Sequence, residues 1–392
     1  MFDHLLIHDR NERTLVGLTD LLLSAGRAVS RRSTRVDQPP ARILVLRLER
    51  IGDLLMTLPA LAELRAAFPA ATVDLVVGSW NEPLAGLLNI VDSVQTLDAP
   101  WLARGHPNGG YLELVRRARS WRADRYDLAL NFEGDIRSNL LVALSGAPRR
   151  AGFGIKGGAA FLTERGSYDR GAHVAVNAGR LVDTVLARPS TSVAPGDQPI
   201  LDPSESARRV ADELLEHARE PLIGVHASGG RAIKQWDPAR FADAARQLVA
   251  ARGGTVVLTG SREDRAIVDE VKSHITGDTP VIDLTGATDL MALAAVLERL
   301  SLFITGDTGP MHLAAAVGTP IVAIFGPSDP VNYGPWMTPT RARVVRVDIW
   351  CSPCNQIRRP PTRCVGHMPD CLVGVNVEAV VAAANGLLDA RR

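Results

Sequence analysis

Residues 302–330, LFITGDTGPMHLAAAVGTPIVAIFGPSDP, constrain the chain more than any other stretch. An apolar run over 302–305 reads as a buried strand, and a second strand is expected over 319–325. Between them lie a Gly-Asp-Thr-Gly turn and a short helix over 310–317. Pro310 suits the first turn of a helix, where its missing N–H costs nothing. Thr308 and Gly309 stand just before it, so backbone N–H groups point out of the turn, and the helix dipole adds to their attraction for an anion. Asp307 and His312 flank the turn. A strand, a Gly-rich turn and a helix N-terminus suit a phosphate-bearing ligand, without saying which.

The chain has 392 residues, more than one core fills, so two domains are expected. Buried strands are expected over 43–48, 73–77, 94–97 and 128–132, and again over 222–226, 255–258 and 281–284. Helical patterns over 54–68, 111–122, 136–144, 205–217, 264–274, 290–298 and 377–388 alternate with them. This rhythm predicts doubly wound parallel sheets. Ligands on such sheets bind at the carboxyl ends of the strands, which puts Asp53, Glu133 and Asp135 at one rim. Residues 152–169 read as an irregular Gly-rich loop, and 177–186 as a helix. Pro189, Pro195, Pro199 and Pro203 mark a linker. The expected division is a helical extension over 1–40, a first Rossmann-like domain over 41–188, a linker over 189–205, a second Rossmann-like domain over 206–375 and a final helix over 376–392.

A net charge of +1 gives no reason to expect a nucleic-acid partner. No apolar run approaches the roughly 20 residues of a membrane span. The start, MFDHLLIHDRNERTL, lacks a basic segment followed by an apolar one, so no secretory leader is expected and the protein is read as cytoplasmic. In residues 1–40, Leu15, Leu18, Leu21, Leu22, Ala25 and Val29 recur at helical spacing, and Arg27, Arg31, Arg32 and Arg35 follow. The preferred reading is a helix packed on the first domain through this stripe, with a solvated basic end. The other is a basic amphipathic helix on the inner membrane surface.

The cysteines, Cys351, Cys354, Cys364 and Cys371, share one segment with C-x2-C-x9-C-x6-C spacing, which suits a structural metal or reactive or packed thiols. Lysine is scarce: Lys156, Lys234 and Lys272 are the three in the sequence. Lys234 follows a buried strand in a loop of small residues, where an ammonium could meet a phosphate as a point charge; the alternative is a solvated loop lysine. The size of Trp236 suits an anchor for that loop in the core. Asp53 could start a helix or act on a substrate, Asp307 could cap a helix, and His226 and His312 suit buried hydrogen-bonded positions. The turn after the first strand, Arg50-Ile51-Gly52-Asp53, lacks the G-x-G-x-x-G fingerprint, which sets hydride transfer on a nicotinamide aside.

Arg47-Leu-Glu-Arg-Ile-Gly-Asp53 with Leu58-Pro-Ala, Lys234-Gln-Trp236, and Gly306-Asp-Thr-Gly-Pro-Met-His312 with Gly326-Pro327 together resemble glycosyltransferase family 9, the ADP-heptose:lipopolysaccharide heptosyltransferases. The resemblance runs from about Arg42 onward, takes in His173 and the Cys-Ser-Pro-Cys segment, and leaves residues 1–40 uncovered. It implies a GT-B fold, two Rossmann-like domains facing across a cleft, with inverting catalysis that requires no metal. By the same resemblance, Asp53 is the general base on the acceptor hydroxyl and Lys234 neutralises the donor diphosphate. Asp307 contacts the sugar, Thr308 and Gly309 bind phosphate, Glu263 meets the ribose, and His312 supports the donor site. The implied partners are ADP-heptose and a glycan or glycolipid acceptor of lipopolysaccharide inner-core type, with a peripheral membrane contact. Another nucleotide-sugar donor, a sugar-nucleotide epimerase and a nonenzymatic sugar-nucleotide binder remain the alternatives.

Overall fold

The computed structural model describes residues 2, 5–7, 9–29, 38–102, 110–190, 194–196 and 198–390. The chain divides into two compact units, Met1–Val193 and Ala194–Arg392. Each is built on a six-stranded sheet in which every pairing is parallel.

The first unit contains β1 (Arg42–Arg47), β2 (Thr72–Val77), β3 (Ser93–Thr96), β4 (Leu128–Asn131), β5 (Arg149–Gly152) and β6 (Glu164–Arg165). Their order across the sheet is β3-β2-β1-β4-β5-β6. Val45 lies in register with Leu75 on one side and Leu130 on the other. Successive residues Ile43, Leu44, Val45 and Leu46 are all buried, so both faces of the sheet are covered. Helices Ile51–Ala67 and Val174–Val185 pack together, and Tyr111–Ser120 packs on Ile136–Leu144.

The second unit contains β7 (Leu222–His226), β8 (Thr255–Leu258), β9 (Val281–Asp283), β10 (Leu302–Gly306), β11 (Ile321–Ile324) and β12 (Ala342–Val345), in the order β12-β11-β10-β7-β8-β9. Counted from its own first strand, this is again the order 3-2-1-4-5-6. In both sheets the winding reverses beside the first strand, between β1 and β4 and between β7 and β10. The carboxyl ends of those strands flank the crevice where doubly wound folds take ligands.

Several boundaries move from expectation. The segment 152–169 is not wholly irregular: it holds a short 3-10 turn, Ala159–Phe161, and then β6. The edge strand is too short for periodicity to show. Arg149 secures it through Glu164, at 2.7 and 2.9 Å. The helix expected from 177 begins at Val174, because His173 Nδ1 accepts the Ala175 N–H at 3.1 Å and acts as its cap. β12 was not foreseen from its mixed Ala-Arg-Val-Val sequence.

The N-terminal helix, Arg10–Val29, corrects the packing expected of its leucines. It rests on the first unit by the opposite face. Gly17 is buried under the Phe2 ring, Val16 closes on Gly157, and Asp20 accepts the Ala160 N–H at 3.5 Å. Leu15, Leu18, Leu21 and Leu22 point outward at 68%, 47%, 60% and 75% exposure. The basic end expected at Arg31, Arg32 and Arg35 lies outside the described residues.

Trp236 shows how the second core holds a site loop. Its ring is buried edge-on against Phe241 at 5.0 Å, and its N–H reaches the Val375 carbonyl at 3.1 Å. Trp236→Ala is expected to lower stability by about 3–5 kcal/mol in urea denaturation; a loss under about 1 kcal/mol would contradict this anchoring.

Candidate functional site

In the first unit, β1 ends on Arg47, and the chain turns through Glu49 into helix Ile51–Ala67. Arg47 is 3% exposed. Its guanidinium donates to the Glu49 carboxylate at 2.6 Å, to the Phe132 carbonyl at 3.1 Å and to the Asp53 carbonyl at 3.1 Å. One buried cation thus ties the ends of β1 and β4 to the first helical turn. Asp53 sits at the third helical position. One carboxylate oxygen accepts the Arg50 N–H at 3.1 Å, and the other lies 3.7 Å from Arg47. Asp53 therefore does cap its helix, and its side chain stays 26% exposed, within reach of a substrate.

At the end of β4, the Asn131 side chain accepts the Glu133 N–H at 3.1 Å. Gly134 follows at φ +72°, where a side chain would be strained and its Cβ would meet Ile155 at 2.8 Å. The turn delivers Asp135 as cap of helix Ile136–Leu144, where it accepts the Arg137 N–H at 2.9 Å and two guanidinium bonds at 2.8 Å. Burial works to raise the Asp135 carboxyl, but these bonds outweigh it and hold the group below its ordinary value. Glu133 has no such cation of its own. Trp101 donates to one of its oxygens at 3.3 Å, while the other is buried without a hydrogen-bond partner. Burial, then the charges of Glu49 and Asp135, push the Glu133 carboxyl up to about 8. Glu49 is raised as well, by burial first, against the pull of Arg47. Sequence reading placed Glu133 and Asp135 at this rim but missed Arg47 as its hub; an arginine closing a buried strand was the available signal.

In the second unit, Lys234 lies in the 3-10 turn Ala232–Lys234 after β7, and Asp307 follows β10 directly. Lys234 Nζ donates to the Asp307 carbonyl at 2.6 Å and to its carboxylate at 3.0 Å. Ser328, beyond β11, donates to the same carboxylate oxygen at 2.5 Å. The structure thus brings Lys234 and Asp307 together, though the sequence separates them by 73 residues. The capping role weighed for Asp307 belongs to Thr308, whose hydroxyl accepts the Met311 N–H at 3.3 Å and lies 3.2 Å from the Thr305 hydroxyl. Gly309 is the first residue of helix Gly309–Ala316, and His312 is buried within it. Glu263 stands exposed on the turn Arg262–Asp264 past β8; Asp264, beside it, accepts both the N–H and the hydroxyl of Ser261 at 2.8 Å. His226 is buried 3.1 Å from the Thr259 hydroxyl, and burial lowers its pKa.

All four cysteines are free thiols. Cys371 is pushed up to about 11, by burial first and then by Cys354, Cys351 and Cys364, which are close enough to act on it. Among the described residues, however, no group of three or more His, Cys, Asp or Glu side chains is arranged to hold a metal ion.

Comparison with known proteins gives a consistent result. The model of glycosyltransferase family 9 (heptosyltransferase) matches residues 114–362, more than half of the chain. Lipopolysaccharide heptosyltransferase 2 of Salmonella typhimurium is 28% identical over 330 residues, covering 78% of this chain and 88% of the relative. Among solved structures, the Escherichia coli ADP-heptose lipopolysaccharide heptosyltransferase II superposes with a TM-score of 0.71 at 24% identity, covering 89% of this chain and 99% of that one. The family 9 glycosyl transferase from Veillonella parvula gives 0.72 at 25% identity, covering 89% and 97%. The two-sheet α/β architecture is that of GT-B proteins.

The charge balance at the first rim predicts a pH effect. The unfolded chain releases the Glu133 proton near the ordinary value of 4.5, whereas the folded chain keeps it up to about 8. Between these values the unfolded state binds fewer protons, so this group's contribution to stability falls as pH rises. Glu133→Gln, uncharged and similar in shape, should gain stability over wild type as urea titrations move from about pH 5 to about pH 9. A constant difference across that range would refute the raised carboxyl.

Proposed function

The chain belongs to glycosyltransferase family 9, and from that premise we propose that it transfers heptose from ADP-heptose to a glycan acceptor of lipopolysaccharide inner-core type. The observation that carries this reading is the position of Asp53 beside the β1–β4 reversal and of Lys234 and Asp307 beside the β7–β10 reversal.

Asp53 takes the proton of the acceptor hydroxyl. The acceptor oxygen then forms a bond to the anomeric carbon, with inversion, as the bond from that carbon to the diphosphate oxygen breaks and ADP leaves. A base is required on one reactant and charge stabilisation on the other. The Arg50 N–H and Arg47 fix the direction of the Asp53 carboxylate. Lys234 neutralises the leaving diphosphate, and the Thr308-capped helix end adds its N–H groups and dipole. The Lys234–Asp307 pair holds the ammonium in place until the diphosphate competes for it, leaving Asp307 to receive hydroxyls of the donor sugar. Glu263 takes the ribose and His312 supports the donor site from within its helix. Thr308 and Gly309 face the phosphates. The chemistry is supplied by side chains and backbone, with no metal assigned a step. The acceptor is carried on lipid, so the enzyme works in peripheral contact with a membrane surface on the cytoplasmic side.

The base on the acceptor side distinguishes a transferase from a sugar-nucleotide binder, which needs none. Asp53→Ala should abolish transfer, a loss of about 100-fold or more, while the thermal shift given by ADP stays near wild type. Lys234→Ala should weaken that ADP shift. Near wild-type turnover of Asp53→Ala would remove the base assignment. A larger thermal shift with UDP or GDP than with ADP would remove the donor assignment.

A further inference from the structure

The outward leucine face of helix Arg10–Val29 serves no core. Leu15, Leu18 and Leu22 form one stripe along it, with Leu21 at its edge, while Gly17 and Val16 do the packing on the other side. We propose that this face is a membrane-docking surface that seats the enzyme on an anionic lipid bilayer.

Three observations select that occupant. The first is charge. Residues 21–36 of the sequence contain Arg27, Arg31, Arg32 and Arg35 and no acid. Leucines followed by guanidinium groups match both parts of an anionic surface, the acyl boundary and the headgroup phosphates. The second is that no helix among the described residues is long and apolar enough to cross a membrane, so this one lies on the surface rather than in it. The third is continuity with the site. The helix rests on the turn Ala159–Phe161, which contacts helix Ile136–Leu144, which in turn packs on helix Tyr111–Ser120. That last helix exposes Tyr111 and Leu112 at 60% and 63% beside exposed Arg116 and Arg119. The Tyr111 ring stacks on Trp101 at 6.2 Å, and the Trp101 N–H reaches Glu133 at the rim that holds Asp53. The same unit therefore exposes a second apolar and basic patch, on the helix whose Tyr111 leads through Trp101 to the side of the site assigned to the acceptor. The inference shares with the proposed function only the expectation that the acceptor is lipid-borne.

The test uses the full chain and vesicles without any acceptor glycolipid, so that it stands apart from the transfer assay. The protein should sediment with vesicles of mixed phosphatidylglycerol and phosphatidylcholine, be released by added salt, and stay in solution with phosphatidylcholine alone. The double variant Leu18→Glu/Leu22→Glu should lower the partition onto anionic vesicles by about tenfold or more, while its thermal shift with ADP shows that it is folded. Equal binding of variant and wild type, or equal binding to neutral vesicles, would overturn the proposal. So would an absence of vesicle binding together with a wild-type dimer that the double variant converts to monomer, because the stripe would then belong to a second copy of the chain. Heptose transfer failing while anionic vesicle binding holds would leave docking standing and count against the proposed reaction alone.

Discussion

A parallel sheet covered on both faces leaves little room for polar chemistry along its strands, and the rest of this structure follows from that constraint. In β1 and β10, successive side chains are buried whichever way they point. Charged groups must gather where strands end and backbone groups are free. Both sheets reverse their winding beside the first strand, and the two carboxyl ends at such a reversal are where doubly wound folds take ligands. Glu49, Asp53, Glu133 and Asp135 follow β1 and β4, and Lys234, Asp307 and Thr308 follow β7 and β10.

The two rims solve the problem of partly buried charge in opposite ways. The first has more carboxylates than close cations. Arg47 binds Glu49 and approaches Asp53, and Arg137 is occupied by Asp135. Glu133 is left with an indole N–H, and keeping its proton costs less than adding another buried negative charge. The second rim is balanced. Lys234 and Asp307 form a pair of similar exposure, 17% and 15% for the side chains, and Ser328 completes the carboxylate. Neither charge is left uncompensated, which would be strongly destabilising. Were the ammonium drawn away, the Asp307 carboxylate would still keep the Ser328 hydroxyl. The first rim therefore keeps a proton among its carboxyl groups, and the second keeps a closed ion pair.

Much of this was legible in the sequence because buried parallel strands leave continuous apolar runs. The segments over 43–48, 222–226 and 302–305 each coincide with a central strand. Of the four edge strands, β3 and β9 were expected and the other two were harder. β6 has two residues and β12 alternates weakly, and each depends on a neighbour for its register. Site residues on one turn, such as Asp307 and Thr308, could be recognised together. Their division of labour could not: either side chain could cap the helix, and only the approach of Lys234 from the β7 loop decides that Thr308 does so. Arg47 looked like the end of a strand, since its partners Phe132 and Glu49 come together only when β4 pairs with β1.

The N-terminal helix shows why periodicity identifies an apolar face without identifying what covers it. Its leucine stripe has the spacing of a core helix, and the same spacing would serve a helix lying on lipid. The deciding residue is Gly17. Without a side chain there, the opposite face is flat enough to sit under Phe2 and against the 157–161 segment, and a Cβ at Gly17 would lie 2.3 Å from the Phe2 ring. Close packing on the glycine side fixes the rotation of the helix and turns Leu15, Leu18 and Leu22 outward. Burying the stripe in this unit instead would require a rotation of roughly half a turn, which would remove Asp20 from Ala160 and lift Val16 away from Gly157. The face presented to the surroundings is therefore determined by the packing of the polar and small residues behind it.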